Sequence, residues 1–464
     1  MNRDAHFICE ATGGELVSGP NSVFGDVSID TRTITPGAAF FCLKGPNFDG
    51  HQFAQDALGK GASLLIVERT SLPSLARLPD GLHGIVAVDD TERALAQAAA
   101  AWRRAHDVKV VGLTGSSGKT TTKEMVDAVL GSHGPTLATR GNLNNHLGVP
   151  LTLFRLSPEH QFAVIEMGMN APGEIAYLAE LSQPSVGVVT TVGQAHTEGV
   201  GSLDGVADAK GELLRALPSD GLGIIPSGID RRSRLTSQVS AKLETVGEAQ
   251  DDVVRLARYD AMGERASGEV LIDQQLYPVS IELSGRYNLD NAMLALAVGR
   301  ALGVSMEDAI SALGKVAPPA LRGEIRTLAD KTEVVLDCYN ANPQSMRAAV
   351  GTFVQRHPNG VLALGDMLEL GVSAEEEHAH LGEFVANLDG QPELVGVGRL
   401  SQHTVNGALG AGMQRVRTAW YSDAVSAANH VGARCSAGRA LLLKGSRGMR
   451  MERIFEVLSQ ERGQ

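Results

Sequence analysis

The chain has 464 residues, 43% of them hydrophobic, and single cores stop growing near about 250–300 residues, so two or three domains are expected. Forty-one basic against 53 acidic side chains leave a net charge of −12, which offers no general field for nucleic acid and makes any phosphate site a local one. The apolar stretches break well short of the roughly 18 residues a membrane span needs, and no charged-then-apolar leader opens the chain; a cytoplasmic protein without membrane insertion is expected.

From the N-terminus, apolar runs at 63–67 and 84–88 alternate with helix-like segments, and the charged stretch 103–109 ends this first region. Buried-strand runs follow at 110–113, 163–166, 186–192 and 223–226, with helical segments between the first three, which predicts a parallel sheet. A helix over 290–302, rich in Ala and Leu, stops at Gly303, and Pro318-Pro319 is a breaker beyond it. Short apolar runs at 334–337, 361–364, 394–397 and 441–443 then predict a second Rossmann-like unit. The expectation is an α/β chain of three domains, 1–106, 107–318 and 319–464. Cys9, Cys42, Cys338 and Cys435 are too far apart in sequence for a zinc or redox motif and read as core residues in a reducing compartment.

The run 110–113 leads into Thr114-Gly115-Ser116-Ser117-Gly118-Lys119-Thr120, and a helical pattern follows over 121–130. Strand, glycine loop and helix in this order let backbone N–H groups turn toward a phosphate, with Lys119 adding a charge and the Thr120 hydroxyl within reach of magnesium. The generic phosphate-loop pattern has a glycine where this chain has Leu113. Glu166 closes an apolar run, and a glutamate there is costly unless it meets a cation. His196 follows the next strand and is a second candidate ligand. Lys210 lies in a helical pattern over 204–217, where a solvated surface lysine is the default.

The loop continued through Thr121 and Thr122 resembles that of the Mur ligase family, which also lacks the first glycine. Asp30-Thr31-Arg32, Pro36-Gly37, Gly45 and Asp49-Gly50-His51 resemble that family's N-terminal UDP-binding domain. Gly141-Asn142-Leu143-Asn144-Asn145, Gly148-Val149-Pro150, Asp337-Cys338-Tyr339-Asn340-Ala341-Asn342-Pro343 and Ser345-Met346 are similar to its D-alanyl-D-alanine-adding branch. Gly365-Asp366-Met367-Leu368-Glu369-Leu370-Gly371 and Lys444-Gly445-Ser446-Arg447 agree with that branch. The resemblance covers essentially the whole chain. It implies a UDP-binding domain, a central P-loop ATPase-like domain with a parallel sheet, and a C-terminal Rossmann-like domain that takes the incoming dipeptide.

By the same resemblance, ATP is held by Thr114, Gly115, Ser116, Ser117, Gly118, Lys119, Thr120 and Thr121, with Asn288 and Asn291 at the adenine and Arg322 and Asp337 from the third domain. Thr120 and Glu166 are implied for one magnesium ion, and His196 with a carbamylated Lys210 for a second. Lys119, His196, Lys210 and Lys444 are implied at the reacting groups. Ser28, Asp30, Thr31, Arg32, Lys44, Asp49, His51, Asn144, Asn145, Asn340 and Asn342 are implied for the substrates, UDP-N-acetylmuramoyl-tripeptide and D-alanyl-D-alanine. A monomer is expected. Thr190-Thr191 stands where the family usually has an asparagine, Tyr287 replaces a common histidine, and Leu321 precedes Arg322 in place of a frequent glycine. The competing readings are a kinase or GTPase switch, a non-catalytic nucleotide scaffold, and a tripeptide-forming or folyl-polyglutamate-type ligase.

Overall fold

Strand residues Leu64, Leu65, Ile66 and Val67 are all fully buried, the mark of a strand covered on both faces. They lie in the middle of a five-stranded sheet ordered Glu15–Ser18, Gly84–Val88, Leu64–Glu68, Ala39–Phe41, Val27–Ser28, parallel except at the first pair. Helix Thr91–Arg104 starts where the Asp90 side chain accepts from the Arg93 N–H, and its Ala94, Leu95, Ala98, Ala99 and Trp102 are buried. This computed structural model describes residues 2–75, 83–194, 197–260, 265–435 and 439–462.

The second sheet has nine strands, ordered Gln275–Ile281, Ala266–Ile272, Val254–Asp260, Lys242–Gly247, Leu222–Pro226, Val186–Val189, Lys109–Thr114, Phe162–Glu166, Thr136–Ala138. Its pairing is parallel from Val186–Val189 to Val254–Asp260, as the sequence predicts for this region, but the last two strands are added antiparallel. The hairpin joining them turns at Asp273 and Gln274, both at positive φ (45° and 68°), the two-residue geometry that matches strand twist. The edge strand beyond that turn contains Pro278, and the opposite edge strand is three residues long. The predicted strand 186–192 stops at Val189, so Thr190 and Thr191 are free to turn toward another loop. The predicted helix 290–302 begins earlier, as Arg286–Ala301.

In the third sheet, ordered Glu324–Thr327, Glu333–Asp337, Leu441–Lys444, Val361–Gly365, Glu393–Val397, Thr418–Tyr421, alternate residues serve two cores. Val361, Ala363, Leu441 and Leu443 pack on one face with Ala427, Val431 and Ile454. Leu362, Leu364 and Leu442 pack on the other with Met346, Phe353 and Leu381. Truncating such a leucine to alanine costs roughly 2–5 kcal/mol. Only Glu324–Thr327 runs antiparallel to its neighbour.

The chain divides into two compact units: Met1–Gly112 with Gly134–Gly168 and Glu174–Ser185, and Leu113–His133 with Met169–Gly173 and Val186–Gln464. Among the described residues no helix is long and apolar enough to cross a membrane.

Candidate active site

Leu113 occupies the generic first-glycine position because it belongs to the strand, fully buried. The chain then turns, and helix Lys119–Gly131 begins at Gly118, whose φ of +81° is a conformation that side chains rarely adopt. A Cβ on Gly118 would also stand 2.6 Å from Asn291 Oδ1. Gly118→Ala is therefore expected to weaken ADP binding about tenfold, measured by calorimetry.

The loop is fastened by the segment that follows Val186–Val189. The Ser116 N–H donates to the Thr191 carbonyl and the Ser117 N–H to Thr191 Oγ1, each at 2.9 Å. Both threonine hydroxyls lie within hydrogen-bonding distance of the Ser117 carbonyl, and Ser116 Oγ bonds the Gly193 backbone. Two hydroxyls thus hold the loop where the family usually has an amide. Only the presence of two hydroxyl residues in sequence hinted at this. Lys119 Nζ donates to the Gly115 carbonyl at 2.6 Å, and Thr114, Thr120 and Thr121 are buried. Asn288 and Asn291 are buried one helical turn apart, with Asn288 Nδ2 donating to the Ser284 carbonyl at 2.8 Å.

Lys210 departs from the default for a helical lysine. It lies on helix Leu203–Arg215 and is 1% exposed. Burial, and then the charge of Lys119, hold its amine well below the usual lysine range. A neutral amine is a nucleophile, the form that adds carbon dioxide.

Several residues predicted from the third segment meet at one strand end. Asp337 and Lys444 are register partners on adjacent parallel strands, and Lys444 Nζ, buried, pairs with Asp337 Oδ2 at 2.6 Å. The same ammonium lies 3.4 Å from the Asn340 carbonyl. The Arg322 guanidinium stacks 3.9 Å from the Tyr339 ring centroid. Leu321 has φ +60°, which explains why a glycine is frequent there: the backbone is left-handed before Arg322. A cleft is lined by Ser284, Tyr287, Gly323, Asp337, Thr352 and His357. Burial, then Asp337, raises the Tyr287 phenol above its usual range. Asn342 caps helix Pro343–Arg356.

In the other unit, Glu166 ends its strand and is 1% exposed. Its backbone N–H donates to Thr139 Oγ1 at 3.0 Å, and its Oε1 accepts from Asn144 Nδ2 at 2.8 Å. Glu166 Oε2 is buried with no hydrogen-bond partner among the described residues. Asn145 Oδ1 accepts from the Leu147 and Gly148 N–H groups. Near the N-terminus, Ser28 Oγ bonds the Asp30 backbone, and Asp30 takes a two-pronged ion pair from the exposed Arg32 guanidinium, which holds its carboxyl at about 2. The Thr31 carbonyl accepts from Lys60 Nζ. Lys44 and Asp49 face each other across a two-stranded hairpin. His51 is buried, with Nδ1 2.6 Å from Asp49 Oδ1 and Nε2 accepting from the Glu68 N–H at 2.9 Å. Both its ring nitrogens are spent inside the unit, bracing the turn. His196 lies outside the described residues. Among those residues no group of three or more His, Cys, Asp and Glu side chains is placed to hold a metal ion.

Three domain models of one family match the chain in series: the Mur ligase family catalytic domain over residues 24–103, the Mur ligase middle domain over 113–299, and the Mur ligase glutamate ligase domain over 321–447. The UDP-N-acetylmuramoyl-tripeptide--D-alanyl-D-alanine ligase of Escherichia coli (strain K12) is 36% identical, over 98% of this chain and 98% of its own. The crystal structure of MurF from Acinetobacter baumannii superposes with a TM-score of 0.89 at 33% identity, covering 99% of both chains. That of the MurF ligase of Thermotoga maritima in complex with ADP gives 0.80 at 26% identity, covering 94% of this chain and 97% of that one. With a phosphate loop braced from the next strand, and relatives that match it from end to end, the chain belongs to the Mur ligase family.

Proposed function

We propose that this Mur ligase joins D-alanyl-D-alanine to UDP-N-acetylmuramoyl-tripeptide at the expense of ATP, giving UDP-N-acetylmuramoyl-pentapeptide, ADP and phosphate for peptidoglycan synthesis. The observation that carries this reading is the match to a ligase of that name over 98% of both chains. The complex of a MurF ligase with ADP supports the nucleotide. The protein works in the cytoplasm as a monomer, without membrane insertion or nucleic acid. Its segments 1–106, 107–318 and 319–464 serve the UDP-substrate, ATP and the dipeptide in turn.

The tripeptide's terminal carboxylate attacks the γ-phosphorus and ADP departs; the dipeptide amine then attacks the acyl carbon, loses a proton, and phosphate leaves. Two anions must meet in the first step, so catalysis rests on placement and on positive charge. Lys119 serves the phosphates, and the Lys444 ammonium, aimed by Asp337, serves the reacting acyl group. Asn288 and Asn291 take the adenine, with Arg322 and Asp337 reaching the nucleotide from the third segment. Ser28, Asp30, Thr31, Arg32, Lys44 and Asp49 bind the UDP-substrate.

Magnesium fits the residues present. Glu166 Oε2 is a buried oxygen lacking any protein donor among the described residues, and magnesium takes oxygen ligands. Glu166 would offer one ligand, and the family resemblance implies Thr120, His196 and a carbamylated Lys210 as the others, for two ions in all. Bound there, the ions neutralise charge between phosphate and carboxylate.

The test is phosphate release: a ligase needs both UDP-tripeptide and dipeptide, a GTPase-like switch needs neither, and a scaffold releases none. In the same assay Arg32→Ala is expected to raise the KM for the UDP-substrate about tenfold. ADP affinity by calorimetry should stay at the parent value. Equal loss of both ligands would contradict the assignment of Asp30-Thr31-Arg32.

A further inference from the structure

Ser117 has partners on two sides. Its backbone is clamped by Thr190 and Thr191, while its hydroxyl faces a residue 225 positions away. Asn342 Nδ2 donates to Ser117 Oγ at 2.9 Å and to the Ser116 carbonyl at 3.2 Å. Asn342 Oδ1 accepts from the Ser345 N–H at 2.8 Å, closing a capping box on helix Pro343–Arg356. These partners fix the amide's orientation, because one end must accept from an N–H and the other must donate to a carbonyl. The side chain is 5% exposed. The contact continues alongside: Gln344 Oε1 lies so close to Gly193 that a Cβ there would meet it at 2.5 Å, and Thr197 Oγ1 donates to the Leu370 carbonyl at 3.2 Å.

We propose that Asn342 is a positioning residue for the phosphate loop: its amide fastens the third segment to Ser116 and Ser117 and so sets the loop for nucleotide phosphates. Ser117 Oγ in turn donates to Asn342 Oδ1 at 3.3 Å, so the amide holds the serine hydroxyl through both of its ends. The clamp of Thr190 and Thr191 keeps the loop backbone still while the third segment supplies this contact. Asn342 thereby acts on ATP through Ser117, and its contribution to the dipeptide site is indirect. The inference deepens the ATP-dependent ligase reading and rests on it for the identity of the nucleotide.

Asn342→Ser separates this role from helix capping, since serine is a good N-cap but is too short to carry the amide to the loop. The melting temperature should stay at the parent value, while Mg·ADP affinity by calorimetry falls about tenfold, the equivalent of one to two neutral hydrogen bonds. In steady state the KM for ATP should rise and the KM for D-alanyl-D-alanine should not. Asn342→Asp, which also caps, should lose more ADP affinity, because it sets a carboxylate against the Ser116 carbonyl. Unchanged ADP affinity in both variants would overturn the proposal, as would a rise confined to the dipeptide KM. Calorimetry with ADP needs no acceptor, so failure of the unaltered protein to ligate the dipeptide would strike the ligase reading alone.

Discussion

Glu166→Gln should leave the protein folded, melting at or above the parent temperature, while ligation falls about a thousandfold. The two effects have one cause. Glu166 is 1% exposed, and among the described residues only one of its carboxylate oxygens has a partner, the Asn144 amide. A buried oxygen left unpaired costs roughly 1–3 kcal/mol, and more when it is charged. Glutamine keeps the shape and an acceptor for Asn144 but removes the charge, so the fold loses little or gains. A site that uses that charge to hold magnesium loses its ligand. Circular dichroism melting beside a phosphate-release assay over a magnesium series reads both quantities. Unaltered turnover would remove Glu166 from the metal site, and a steep fall in melting temperature would assign it to the fold instead.

Lys210→Ala should abolish ligation, again by about a thousandfold, and formate or acetate should restore part of it. Burial and then Lys119 hold the amine well below the usual lysine range, which favours the neutral form, the one in which nitrogen adds to carbon dioxide and releases a proton to form a carbamate. An uncharged amine thereby becomes an anion in a site beside Lys119, where it offsets that lysine's charge. The alanine variant leaves space, and a small carboxylic acid supplies the missing oxygens. Depleting bicarbonate should lower the parent's rate and leave the variant's unchanged. Undiminished turnover of Lys210→Ala without additive would rule the carbamate out.

The phosphate loop was legible in sequence because its signal is local: an apolar strand, two glycines and a helix in fixed order. Glu166 was legible for a similar reason, as a charge ending an apolar run. Lys210 was not, since its burial depends on what packs around helix Leu203–Arg215, and helical spacing by itself makes such a lysine a surface residue. The antiparallel strands Ala266–Ile272 and Gln275–Ile281 escaped because they are half exposed and carry few long apolar runs. Leu321 showed the opposite case: a departure from the family pattern whose meaning, a left-handed backbone before Arg322, lies in a dihedral angle that no residue type announces. Thr190 and Thr191 likewise hold their loop through hydroxyl geometry that sequence spacing does not encode.

The nine-stranded sheet has two ends, and each is closed to further growth in a different way. At one, Thr136–Ala138 offers only three residues of backbone, too short a template for another chain. At the other, Pro278 interrupts the row of amide donors along Gln275–Ile281. During synthesis, when many copies with a finished central sheet and an unfinished C-terminal region crowd together, neither margin can readily recruit a neighbour's strand. High-level production of this protein should accordingly depend less on chaperone capture of sheet edges than its strand count suggests.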